Sequence, residues 1–166
     1  NLEIFKQLEV EQKLQKNIDN LQQLSKKQQE LAQKTEEKNA DTKQLKEQQE
    51  QLNKEFEEIK KDIKDLEQKN RQLEEPKKLD NTEDQQKEIE NEMNKSSEQL
   101  EKKEKKGASK SQKNGAEKMQ KMSEQLAANQ QQNEQEQQGE DIDKLRDILE
   151  NLIQLSFGQE ALMGEL

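Results

Sequence analysis

Cysteine, histidine, tryptophan and tyrosine are all absent from this chain of 166 residues, and proline occurs once. Without cysteine there is no disulfide framework, thiolate metal site or thiol nucleophile. Without histidine there is no imidazole base or metal ligand, so the polar chemistry reduces to Asp, Glu, Ser, Thr and Lys. No glycine-rich phosphate loop or zinc-binding helix motif occurs. Adjacent carboxylates such as Glu36–Glu37 and Glu57–Glu58 are frequent. On a solvated helix face, nothing desolvates them enough to tune a pKa. The chain is therefore expected to be no enzyme and to need no cofactor or metal. It also lacks any run near 18 apolar residues and any secretory leader pattern, which excludes a membrane span within it. Asn1 is not an initiator methionine, and Leu166 interrupts an amphipathic pattern. A segment of a longer protein is expected.

What is present is charge and helical spacing. Charged residues make up 40% of the chain, hydrophobic residues 25% and aromatics 2%. That is too little apolar material for a conventional globular core. A helical rod burying only a seam fits better than a disordered chain, because the net charge of -9 is spread over interspersed signs. The seam itself is explicit: Leu45, Leu52, Phe56, Ile59, Ile63, Leu66 and Leu73, with Gln49 and Asn70 filling the two seven-residue gaps, alternate spacings of three and four residues. Such spacing averages 3.5 and forms one stripe directed at a partner helix.

Run backwards, the same register passes Leu31, Leu24, Leu21 and Leu14. It predicts one coiled-coil helix over residues 1–75, a rod of roughly 110 Å. Gln28, Thr35, Lys38, Thr42, Gln49 and Asn70 also occupy seam positions, so the middle is expected to be weakest. Pro76 ends the helix, and residues 76–82 read as a turn in which Asp80, Asn81 or Thr82 caps the next helix. A returning helix then covers 83–138, with seam residues Ile89, Met93, Ser96, Leu100, Met119, Met122 and Leu126. Gly107 is expected to interrupt or bend it, at about 1 kcal/mol relative to alanine. The Gln-rich run 129–138 reads as helix or linker, closed by Gly139. Residues 139–166 form a more apolar amphipathic helix, or helices, carrying Ile142, Leu145, Ile148, Leu149, Leu152, Ile153, Leu155 and Phe157. Ser156 with Gln159 has capping-box spacing for a further helix start.

The expected fold is thus all-α, a long antiparallel coiled-coil helical hairpin with a bend near Gly107 and a more apolar C-terminal helix. A turn near Lys78 pairs Leu66 with Ile89, Ile63 with Met93, Phe56 with Leu100 and Leu31 with Leu126. It sets Met119 and Met122 against Lys38 and Thr35, and closes the ends by pairing Leu14 with Ile142, Leu8 with Leu149 and Phe5 with Leu152. The rival is a parallel homodimer, for which Asn70 at an a position is a favourable sign. The methionines read as core filler.

Lys102, Lys103, Lys105, Lys106, Lys110, Lys113, Lys118 and Lys121 offer a basic contact for nucleic acid or anionic lipid. Interspersed glutamates and the lack of stacking aromatics argue against nucleic acid. Glu140, Asp141 and Asp143 lack the rest of a calcium loop and read as acidic residues at a helix start.

Three stretches carry a resemblance: Leu79-Asp80-Asn81-Thr82-Glu83; Ala108 to Lys113 with Ala116-Glu117-Lys118-Met119; and Leu145 to Leu152 followed by Leu155-Ser156-Phe157 and Gln159-Glu160. They resemble a family of large bacterial envelope proteins of the Bacteroidetes type, which combine N-terminal membrane-spanning helices with a long Gln/Glu/Lys-rich coiled-coil region. The chain is similar to part of that region. Gly115 and Gly158 depart from the alanine and acidic residue expected there. The resemblance implies a membrane-anchored parent and carries over no functional residue. Together these features predict a structural spacer or scaffold. The alternatives are a binding module using Lys102 to Lys121 and the arm of an ATPase whose heads lie elsewhere.

Overall fold

The computed structural model describes the backbone of residues 1–164 and the side chains through residue 158. Among these residues the regular structure is helical throughout, in four helices: α1 Leu2–Glu36, α2 Thr42–Arg71, α3 Glu83–Glu101 and α4 Lys105–Gly164. The contacts divide the chain into one unit of Asn1–Gln130 and a second that begins at Gln131.

The expected single helix over 1–75 is two helices, and the correction has a local cause. α1 stops where Glu37 turns extended and returns its N–H to the Lys34 carbonyl. Asp41 then caps α2, its carboxylate accepting from the Lys43 N–H at 3.0 Å. Asn39-Ala40-Asp41-Thr42 carries this signal in the sequence. Periodicity hides the turn, because Leu31 and Leu45 are 14 residues apart, two whole heptads, so the stripe resumes in phase.

Contacts between helices fix the arrangement of the first unit. Lys13 pairs with Asp65 at 2.8 Å and Lys69 with Glu9, so α1 and α2 are antiparallel. Lys60 pairs with Glu90 and Asn53 with Ser97, setting α3 antiparallel to α2. Gln99 bonds Ser111 while Glu88 bonds Lys118, which turns α4 back along α3. Finally Ser109 and Ser25 reach across between α4 and α1, to the Ala32 and Ala116 carbonyls. Four antiparallel neighbours in a ring make an up-down-up-down bundle.

The second half therefore does return along the first, but in a different register from that expected. Gln130 donates to Gln15, which places Leu126 near that end of α1 instead of opposite Leu31. Ser109 and Lys113 both bond Glu36, so they occupy the place expected for Met122 and Met119 beside Thr35. The inserted turn shortens the first arm, and α4 starts its return correspondingly earlier.

The other breaks also differ from expectation. Between α3 and α4 the chain turns at residues 102–104, where Lys103 has φ 60. The Lys103 N–H reaches the Leu100 carbonyl and the Glu104 N–H the Gln99 carbonyl, the two bonds of a Schellman motif. Gly107 lies inside the first turns of α4 and no glycine among the described residues has positive φ, so the bend expected there sits upstream. In the connection over 72–82, Asn70 both donates to the Lys77 carbonyl at 2.7 Å and accepts its N–H at 2.8 Å. That pairing corrects the reading of Asn70 as a dimer-specifying residue. Asn81 accepts the Glu83 N–H ahead of α3, whereas Asp80 turns to α4 and binds Gln125 and Asn129.

In the second unit α4 continues through the Gln-rich run, past Gly139 and past Ser156. Glutamine is a good helix former, so a polar run of it extends a helix without needing a seam. The Gln-rich run follows the helix alternative and not the linker, while the helix start at Glu140 to Asp143 and the cap at Ser156 are replaced by uninterrupted helix.

Candidate functional site

The expected seam residues from Leu45 to Leu126 lie in one buried cluster: Leu45, Leu52, Phe56, Ile59, Ile63, Leu66, Leu73, Ile89, Met93, Leu100, Met119, Met122 and Leu126. They are joined by Val10, Leu14, Ile18, Leu21, Leu24 and Leu31 of α1. The strict spacing did not single out Val10 and Ile18. A helix contacting two neighbours buries more than the a and d positions, and α1 packs against both α2 and α4.

At the centre of this cluster lies a polar layer to which every helix contributes. Gln28 of α1 and Gln49 of α2 exchange reciprocal amide bonds of 2.7 and 2.8 Å, with both side chains fully buried. Ser96 of α3 and Gln112 of α4 each donate to the Gln49 carbonyl oxygen at 3.2 Å. Gln49 also donates to Asn53, which in turn donates to Ser97. These seam positions, expected to be the weak middle of a rod, are instead bonded to one another. The Gln112 carbonyl oxygen and the Asn17 amide nitrogen are buried without a partner.

Three lysines of the basic stretch are bonded within the bundle. Lys113 is held by Glu36 and Lys118 by Glu88, while Lys105 reaches the Glu37 carbonyl. The hydrogen bonds from Lys113 and Ser109 hold the Glu36 carboxyl below its ordinary range. Lys102 and Lys103 belong to the turn, and Lys106, Lys110 and Lys121 are exposed along α4.

Elsewhere on the bundle, a surface groove of about 370 Å³ is lined by both signs of charge, Glu57, Glu67 and Glu83 with Lys60, Lys61, Lys64 and Arg71. Lys60 sits 2.9 Å from Glu90 and 3.2 Å from Glu57. Burial pushes the Lys60 pKa down, but these two carboxylates outweigh it and the value is raised. Among the described residues, no group of three acidic side chains is placed to hold a metal ion. No helix among them is long and apolar enough to cross a membrane.

The remaining seam residues behave differently. Ile142, Leu149 and Leu152 are 55%, 59% and 57% exposed, as are Leu145, Ile148, Ile153, Leu155 and Phe157 to similar degrees. Leu14 is buried within the first unit's own core, while Phe5 and Leu8 are exposed. Leu14 thus belongs to the first unit's core, and Ile142, Leu149 and Leu152 belong to the second unit.

Comparison with protein-family models, curated proteins and solved structures finds no match to this chain.

Proposed function

We propose that this chain is a non-enzymatic helical spacer or scaffold, one segment of a larger envelope-associated protein. The observation that carries the reading is the central layer of Gln28, Gln49, Ser96 and Gln112. Bonded polar groups at the centre of a bundle fix register and helix order, while nearby ion pairs occupy the groove and part of the basic stretch. Such an arrangement holds a shape. The envelope assignment rests on the resemblance of the segments around Leu79, Ala108 and Leu145.

The spacer reading predicts that the chain neither retards duplex DNA nor sediments with anionic vesicles at low salt. Salt-dependent binding lost on Lys→Gln changes at Lys102, Lys103, Lys106 and Lys110 would replace it with a binding module. Fractionation of cells should place the parent protein with membranes, and a soluble parent would contradict the envelope assignment.

A further inference from the structure

The last part of α4 repeats apolar residues at Ile142, Leu145, Leu149 and Leu152, again at alternating spacings of three and four. Ile148 and Ile153 flank this stripe. At about 100° per residue the apolar arc is roughly 140° wide, broader than a narrow two-stranded seam needs. All these side chains are about half exposed or more.

The eight apolar side chains between Ile142 and Phe157 leave roughly 800 Å² open, above the 300–600 Å² of the largest patch on an ordinary monomer. Phe157 lies outside the arc, so two such faces together would remove up to about 1,400 Å², within the range of a standard stable interface. The opposite side of the helix carries Asp143, Asp147 and Glu150. That acidic side disfavours an anionic lipid surface as the occupant.

We propose that this face is a self-association site, taking the same helix of a second copy of the chain. The proposal rests on the scaffold reading and names that scaffold's partner. With Ile142 and Leu149 at a and Leu145 and Leu152 at d, Asp141 falls at g and Arg146 at e. In a parallel, in-register pair, Asp141 of one copy faces Arg146 of the other and Ile148 faces Ile153. Oppositely charged flanks and an apolar match select like against like.

Sedimentation equilibrium of the full chain, over a dilution series at micromolar concentration, tests this. The expected mass is at least twice 19.6 kDa. It should fall to the monomer value in a Leu149→Glu/Leu152→Glu variant and stay high in an Asp147→Asn variant on the polar side. Both leucines lie outside the bundle core, so the bundle's thermal transition should survive. If the glutamates lower helix content, Leu149→Gln/Leu152→Gln gives the same comparison with less disruption. A monomeric wild type, association unchanged by both leucine variants, or vesicle binding through this face would overturn the proposal. A monomer would leave the spacer reading intact. Salt-dependent DNA binding at unchanged mass would overturn that reading alone.

Discussion

Lys103 takes φ 60 in the turn between α3 and α4, a conformation in which an L side chain crowds its own backbone. The position is the left-handed residue of a Schellman motif, where glycine is usual. Lys103→Gly is therefore predicted to stabilise the bundle by about 0.5–1 kcal/mol in urea denaturation, less whatever freedom it adds to the unfolded chain. A loss would show that the lysine side chain contributes more than the strain it carries. Asp80 makes a separate point. Asn129 and Gln125 donate to its carboxylate, and these bonds, aided by Lys78, lower its pKa below the ordinary 3.8. A carboxyl with a lowered folded pKa contributes stability that is present above about pH 4 and lost as pH falls through the folded value. Asp80→Asn should therefore be less stable than wild type at neutral pH and lose less Tm on acidification to about pH 3. An equal acid loss in both proteins would remove Asp80 from the account.

At the scale of the helices, spacing made much of the structure legible. The residues from Leu45 to Leu73 and from Ile89 to Leu126 are core because only one face of each helix is apolar. The turn over 37–41 was not legible from spacing, since it falls between leucines two heptads apart. Its only sequence trace is the Asp41–Thr42 cap. The bend expected near Gly107 is instead a turn at Lys103, where capping bonds to Gln99 and Leu100 outweigh the residue's preference. Gly115 departs from the alanine that the resemblance implies, and α4 passes through it unbroken. A Cβ there would meet Glu92 Cβ at 3.7 Å and Met93 Cγ at 3.9 Å, ordinary contact distances. Gly115→Ala is predicted to raise stability by about 1 kcal/mol, the helix-propensity difference. A lower Tm would mean that α3 and α4 approach more closely than this geometry allows. Gly107 is the contrasting case, because its Cβ would lie 2.7 Å from the Gln99 amide that links α3 to Ser111.

Across the whole bundle, the central glutamines carry the order of the helices. Gln49 bonds Gln28, Ser96 and Gln112 at once, so Gln49→Ala strands polar groups on three other helices. At about 1–3 kcal/mol per stranded group, the expected loss is about 3 kcal/mol or more. Gln28→Leu with Gln49→Leu should recover part of it, because two amides leave the core together. A single-variant cost near zero would show that water reaches this layer. The sequence listed Gln28 and Gln49 as weak seam positions because, in a two-helix rod, nothing would surround them. Four helices bury them and give each a partner. Leu14, which the expected hairpin register pairs with Ile142, is instead buried in the bundle's own core.

The central claim is that the first half of the chain is two antiparallel helices closed into a four-helix bundle. Spin labels at Lys16 and Lys61, both exposed, test it in one distance measurement. Helices packed 8–10 Å apart should hold the labels within about 30 Å of each other, label arms included. An uninterrupted helix would separate them by roughly 70 Å at 1.5 Å per residue, and a distribution centred there would contradict the bundle.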